Sequence, residues 1–185
     1  LRHQRRDAFW KHGSVCEDYG AITCPVLAVG GWADGYTNAI FRLLANLKSP
    51  RKGLVGPWAH KYPHFAKPGP QIGFLQECLR WWDKWLKGVE TGVMEEPMLR
   101  AWIEEPVRPA PYYPEKPGRW VAEEEWPPGD FKHRSLALTP GRLGAERSDA
   151  AVAVSSPQTT GQAAGKWCAY GSWPDQPLDQ RQELP

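Results

Sequence analysis

Two short apolar segments, each ending at a turn that carries a polar side chain, most constrain the fold of this chain. The first, Pro25-Val-Leu-Ala-Val-Gly30, leads to Asp34, and the second, Gly53-Leu-Val-Gly56, leads to His60. Between them, the apolar residues of Asn38 to Leu47 recur with helical spacing. Near-continuous apolar runs are typical of strands that are buried on both faces of a parallel sheet. The pattern therefore predicts a strand–helix–strand unit of an α/β fold.

The predicted topology brings Asp34 and His60 to the same edge of the sheet. The residues between them are enough for a helix and a strand that return to that edge. Crossovers between parallel strands are right-handed, so both turns are expected at the carboxyl edge, where open α/β sheets bind ligands. An acid that follows one strand and a histidine that follows the next is also the order of the second and third members of an α/β-hydrolase triad. We therefore identify Asp34 as a candidate catalytic acid and His60 as a candidate general base.

Simpler interpretations of both residues stay open. Asp34 precedes a glycine, a common turn pair, and His60 could be a structural loop histidine. His60 and His64 also have the spacing of two zinc ligands on a helix. Pro57 and Pro63 disfavour a regular helix there. We expect no metal site and no cofactor.

A nucleophile is missing from the sequence. None of the seven serines lies in a Gly-x-Ser-x-Gly turn between a strand and a helix, and Cys16 and Cys24 lack that setting too. We expect the nucleophile in a segment before this chain, so the chain alone is expected to be inactive. Trp32 and Trp58 flank the candidate acid and histidine and are candidate substrate-binding residues, with loop packing as the alternative.

Composition excludes several classes of partner. The 23 basic and 21 acidic residues leave a net charge of +2, without the clustered basic face that nucleic acid requires. No apolar run is long enough to predict a membrane span. The four cysteines have no Cys-x-x-Cys spacing, so we expect buried free thiols and a reducing compartment such as the cytoplasm. A disulfide between Cys16 and Cys24 stays open, as does the oligomeric state.

The remaining chain predicts one strong helix and then a change of character. Residues Phe74 to Lys87 form the helix, and its apolar stripe is expected to pack against the sheet. After about residue 95, short strands are predicted at Met98–Ile103, Arg119–Ala122 and Ser135–Leu138. Widely spaced short strands with many prolines favour the start of a β-sandwich. The apolar stripe of the predicted helix from Phe74 to Lys87 consists of Leu75, Cys78, Leu79, Trp82, Trp85 and Leu86.

Three motifs give the chain a family resemblance. Gly30-Gly-Trp-Ala-Asp-Gly35, Gly56-Pro-Trp-Ala-His60 and Leu79-Arg-Trp-Trp-Asp-Lys-Trp-Leu-Lys-Gly88 occur in this order. Together they resemble the Xaa-Pro dipeptidyl-peptidase and cocaine-esterase group of serine hydrolases, the CocE/NonD family. The resemblance covers residues from about 15 to 103 well and extends more faintly to about residue 180. It implies that Asp34 and His60 take the places of the triad acid and base.

The resemblance also implies a domain plan and a reaction. Residues 1–95 would be the C-terminal part of an α/β-hydrolase domain, with residues 1–20 the end of its helical cap. Residues 96–185 would begin a jelly-roll β-sandwich, truncated here. The reaction would be cleavage of a peptide, ester or amide acyl bond in a small-molecule or peptide substrate. Acyl transfer on the same fold and a non-catalytic aromatic-rich binding module are the alternatives.

Overall fold

The computed structural model describes residues 2–108, 110, 112–139 and 141–151. The rest of the chain, including Cys168 and the last part of the predicted sandwich, lies outside the described residues. Single turns of 3₁₀-helix at Val15–Glu17 and Tyr19–Ala21 precede the first strand. The helices are α1 (Ala8–His12), α2 (Thr37–Asn46) and α3 (Phe74–Lys87). The strands are β1 (Val26–Ala33), β2 (Arg51–Ala59), β3 (Leu99–Glu104), β4 (Gly118–Glu123), β5 (Ala137–Thr139) and β6 (Arg142–Gly144).

Strands β1 to β4 form one mixed sheet in the order of the chain. β1 and β2 are parallel, β2 and β3 are parallel, and β4 runs antiparallel to β3. The predicted parallel pair with an intervening helix is therefore confirmed. The register of β1 against β2 shifts between Gly31 and Ala33, directly before the turn that carries Asp34.

The sheet is covered on both faces near β2, which explains the almost continuous burial of that strand. On one face, Ile40 and Leu44 of α2 pack against Val55 and the neighbouring strands. On the other, Leu54 and Trp58 pack with residues of the loop that follows β2. Full burial of each such side chain contributes about 1.5–3 kcal/mol to folding. This double burial holds the end of β2, and with it His60, at a defined position.

The strongest predicted helix forms where expected, but its apolar stripe is not packed on the sheet. Leu75, Leu79, Trp82 and Leu86 are each more than half exposed, and Trp81 is the buried residue of α3. The expectation that the stripe contacts the sheet is therefore wrong for the described residues. α3 is tied to β3 instead by ion pairing, with Arg100 Nη2 lying 2.7 Å from Glu77 Oε2. Helical periodicity locates an apolar face without specifying what covers it.

The strands after residue 95 extend the first sheet. β3 and β4 lie beyond the predicted domain boundary, yet they pair with β2 and with each other. β5 and β6 form a separate antiparallel hairpin. Neither arrangement establishes a jelly roll, so the two-domain plan, including the helical cap over residues 1–20, stays a prediction.

Cysteine exposure differs from the expectation of buried thiols. Cys16 and Cys24 are exposed and free, so the expected burial is wrong for both, and no disulfide joins them. Their place, in the irregular segment before β1, explains the exposure, since that segment carries no buried residues in its short helical turns. Cys78 on α3 is partly buried and free, and burial raises the pKa of its thiol.

One buried charge lies at the opposite end of β2 from His60. Lys52 is buried, and its Nζ donates to the carbonyl oxygens of Met94 and Glu96. Burial lowers the pKa of Lys52, while the nearby carboxylates of Glu96 and Glu124 act in the opposite direction. These contacts satisfy the ammonium group within the fold and fasten the segment before β3 to the start of β2.

Candidate active site

The turn after β1 places the carboxylate of Asp34. Its backbone N–H donates to the carbonyl of Gly31 at 3.1 Å, which closes a tight turn. Gly31 itself allows the strands to approach closely, since a Cβ atom there would lie 1.9 Å from the carbonyl oxygen of Trp58. Thr37 closes the same turn from the first residue of α2. Its hydroxyl donates to the carbonyls of Gly31 and Asp34, the latter at 2.8 Å.

The two oxygens of the Asp34 carboxylate have different partners. Oδ1 accepts a hydrogen bond from the backbone N–H of Tyr36 at 3.0 Å. Oδ2 lies 2.8 Å from Nδ1 of His60. The carboxylate side chain is 13% exposed and the imidazole 52% exposed. One oxygen thus fixes the orientation of the carboxylate, and the other meets a histidine that faces solvent.

His60 is held by the way in which β2 ends. The strand continues through Trp58 to Ala59, whose N–H donates to the carbonyl of Lys67 at 3.1 Å. The indole of Trp58 is buried, with 1% of its surface exposed, and its N–H donates to the carbonyl of Pro70 at 2.8 Å. Both hydrogen bonds fasten the following loop to the end of β2. His60 therefore directly follows a well-anchored strand end.

This geometry determines which proton transfer the pair can perform. When Nδ1–H of His60 donates to Asp34, the lone pair of the neutral imidazole lies on Nε2. A carboxylate at Nδ1 also stabilises the imidazolium that forms when Nε2 takes up a proton. The predicted meeting of the two side chains at one sheet edge is what the structure has, whereas their catalytic roles stay predictions.

A cavity of about 520 Å³ opens beside this pair. Its lining combines the ends of β1 and β2, the two polar residues, and aromatic side chains from the loop after β2 and from the start of α3. Sequence reasoning missed these aromatic residues, although two of them follow His60 within five positions. The lining residues are Val29, Gly30, Gly31, Asp34, Trp58, Ala59, His60, Lys61, Tyr62, Pro63, Phe65 and Phe74.

The two candidate substrate-binding tryptophans have different surroundings. Trp58 borders the cavity, but its ring is buried in the core. Trp32 stacks on Phe41, with ring centroids 5.7 Å apart, and its indole N–H donates to the carbonyl of Trp102 at 2.5 Å. These contacts favour the packing interpretation for both, and substrate binding by either stays a prediction.

His64 contacts aromatic rings. It is parallel to Phe74 at 6.1 Å between centroids and meets the edge of Phe65 at 4.6 Å. Among the residues that the structure describes, no group of three or more histidine, cysteine or acidic side chains could hold a metal ion. Within the same part of the chain, no helix combines the length and apolar character needed to cross a membrane.

The chain is similar to several proteins that are named as hydrolases. The family model of X-Pro dipeptidyl-peptidase (S15 family) matches residues 1–62, the part that contains Asp34 and His60. A Mycobacterium tuberculosis protein named as a serine esterase is 28% identical over 118 residues, which are 60% of this chain and 17% of that protein. Cocaine esterase of a Rhodococcus species is 24% identical over 153 residues, which are 77% of this chain and 24% of that enzyme.

A solved structure has a similar fold. The crystal structure of a CocE/NonD family hydrolase from Staphylococcus aureus aligns with a TM-score of 0.56 and 17% identity, covering 77% of this chain and 24% of that one. This likeness supports the mixed α/β sheet. The resemblance predicted from the three motifs is confirmed. The chain spans between 17% and 24% of the length of these relatives.

Proposed function

We propose that this chain, which resembles the S15 and CocE/NonD hydrolases, supplies the acid and the general base of a serine hydrolase that cleaves peptide, ester or amide acyl bonds. The observation that carries the proposal is the 2.8 Å contact between Asp34 Oδ2 and His60 Nδ1 at the carboxyl ends of neighbouring parallel strands. The serine would come from a part of the protein outside these 185 residues.

In the proposed reaction, His60 transfers protons and Asp34 orients it. The serine hydroxyl attacks the acyl carbonyl, and its proton passes to Nε2 of His60. As the tetrahedral intermediate collapses, Nε2 returns that proton to the leaving group, and an acyl-enzyme ester remains. Water then attacks the ester, gives its proton to Nε2 and releases the acid, after which the serine regains its proton.

A serine-reactive probe tests this proposal on the full-length protein. We expect a fluorophosphonate to label one serine and to abolish the hydrolysis of p-nitrophenyl acetate. Mass spectrometry of the labelled peptide would place that serine outside residues 1–185. Esterase activity that survives complete labelling would contradict the proposal. So would a protein that is neither labelled by the fluorophosphonate nor able to hydrolyse p-nitrophenyl acetate. Product analysis with a competing alcohol separates hydrolysis from the acyl-transfer alternative.

Thr37 gives a prediction about how the acid is positioned. Its hydroxyl is buried and bonds the carbonyls of the turn that carries Asp34. Thr37→Val keeps the shape of the side chain but removes this donor, at a cost of about 1–2 kcal/mol. We expect kcat/KM of the full-length enzyme to fall by about tenfold through a lower kcat, and Thr37→Ser to restore most of the loss. A serine variant as slow as the valine variant would show that packing, rather than hydrogen bonding, matters there.

A further inference from the structure

The contact between His60 and Asp34 fixes one atom of the imidazole. Nδ1 lies 2.8 Å from Oδ2 of the carboxylate, and the histidine side chain is 52% exposed. The χ2 torsion of histidine has a broad distribution, so a hydrogen bond at Nδ1 still leaves the plane of the ring able to rock. A catalytic group has to lie within about 10–20° of its productive orientation. The direction of the Nε2 lone pair therefore requires a further contact on the ring.

The ring of Tyr36 lies against the imidazole of His60. The two ring centroids are 6.1 Å apart, and the ring planes meet at 60°. Both values are those of a favourable edge-to-face aromatic pair, whose energy depends on the angle between the rings as well as on their distance. A contact of this kind restrains the tilt of the imidazole, which the hydrogen bond to Asp34 leaves free.

The backbone of Tyr36 is fixed by the same turn that carries Asp34. Its N–H donates to Oδ1 of Asp34 at 3.0 Å, and its carbonyl accepts the N–H of Ala39 at 2.9 Å. The next residue, Thr37, is buried and bonds two carbonyls of the turn. Tyr36 thus contacts both members of the pair, the carboxylate through its backbone and the imidazole through its ring.

Tyr36 lies outside the cavity beside the pair. The cavity lining, in the part of the chain that the structure describes, includes Asp34 and His60 but not Tyr36. Tyr36 is 73% exposed, yet both of its contacts with the pair are made within this chain, whatever surrounds the ring in the full-length protein. A ring that contacts the imidazole from outside the cavity is placed to orient the base rather than to bind the substrate.

We propose that Tyr36 is a positioning residue for the general base, whose ring fixes the tilt of the His60 imidazole and so directs Nε2 to the serine hydroxyl. The proposal rests on the proposed hydrolase function. Without the ring, the contact with Asp34 persists, but the imidazole spends part of its time in orientations in which Nε2 is misdirected. Because His60 transfers protons both when the acyl-enzyme forms and when it is hydrolysed, the loss appears in kcat whichever step is slower.

Two variants of Tyr36 in the full-length protein test this role. Tyr36→Leu removes the ring but keeps an apolar side chain, and we expect kcat for p-nitrophenyl acetate to fall by about fivefold, the factor that corresponds to one aromatic pair. KM should change by less than about twofold, since the substrate does not contact Tyr36. Tyr36→Phe keeps the ring and should retain nearly full kcat. An unchanged kcat in Tyr36→Leu would overturn the proposal, as would a phenylalanine variant as slow as the leucine variant.

A series of esters separates positioning from substrate binding. Orientation of His60 serves every ester alike, so Tyr36→Leu should lower kcat/KM by the same factor for p-nitrophenyl acetate, butyrate and hexanoate. A factor that varies by more than about threefold along the series would show that Tyr36 contacts the acyl chain, and would overturn the proposal. Tyr112→Leu is the matched control, because the ring of Tyr112 lies beside the Lys67 ammonium group at 6.0 Å, and its kcat should equal that of the unmodified protein.

The orientation of the imidazole can be measured apart from the reaction. Crystal structures of the full-length protein should show His60 in one orientation in the unmodified protein and in Tyr36→Phe, and in a second or shifted orientation in Tyr36→Leu. If the full-length protein hydrolyses none of the esters, the proposed function fails, and this comparison still decides the role of Tyr36. The same single orientation in all three structures would overturn the proposal.

Discussion

Replacing His60 with alanine in the full-length protein is expected to lower kcat for ester hydrolysis by about 10⁵- to 10⁶-fold, as the loss of a triad base does. The imidazole is the group that accepts and returns the proton, and Asp34 cannot replace it, because its Oδ2 contacts Nδ1 rather than the reacting atoms. Stopped assays with a chromogenic ester at high enzyme concentration measure the residual rate. A variant within tenfold of the unmodified enzyme would reject the assignment of His60.

The histidine variants need controls for folding and for position. The His60 side chain is about half exposed, so its loss should change the free energy of unfolding by no more than about 0.5 kcal/mol, and thermal unfolding checks this. His133→Ala removes an exposed histidine outside the cavity and should leave kcat unchanged. His64→Ala removes a ring that contacts Phe65 and Phe74. Its effect on kcat should stay below about tenfold, because His64 has no carboxylate partner among its described contacts. A larger loss with His64→Ala than with His60→Ala would exchange their roles.

The meeting of Asp34 and His60 could be predicted because it depends on few physical rules. Apolar runs locate β1 and β2, and the parallel pairing of strands joined by a helix brings their carboxyl ends together. α2 and α3 follow in the same way from helical periodicity. These features are local or nearly so, and one sequence contains the information that they require.

Features that depend on contacts between distant residues were missed. The apolar stripe of α3 was expected to be covered, yet periodicity carries no information about which element lies opposite. The indole N–H of Trp32 donates to the carbonyl of Trp102 in β3, seventy positions later, and no local pattern specifies that partner. The rings of Tyr62 and Phe74 lie together in the cavity lining because the loop after β2 folds back onto the start of α3. The aromatic residues that follow His60 in the sequence are the signal that could have indicated this lining.

Replacing Asp34 with asparagine is expected to lower kcat by about 10⁴-fold while leaving the fold intact. The asparagine carbonyl can still accept the N–H of Tyr36, which turns its amide NH₂ towards Nδ1 of His60. Nδ1 must then accept rather than donate, so the imidazole proton moves to Nε2, the atom that has to receive the proton of the nucleophile. The variant therefore holds its base in the wrong tautomer, in addition to losing the charge that stabilises the imidazolium.

Asp18→Asn is the matched control for this change, because it reproduces the local role of Asp34 without the histidine. The Asp18 carboxylate accepts the N–H of Gly20 at 2.9 Å, two positions later, as Asp34 accepts that of Tyr36. If turn geometry alone matters, both variants should lower kcat equally and only slightly. If the tautomer matters, the position-18 variant should retain full kcat, and the position-34 variant should lose nearly all of it at an unchanged melting temperature. ¹⁵N NMR of the His60 ring decides the cause: a proton on Nδ1 in the unmodified protein and on Nε2 in the variant supports the argument, and the same tautomer in both refutes it.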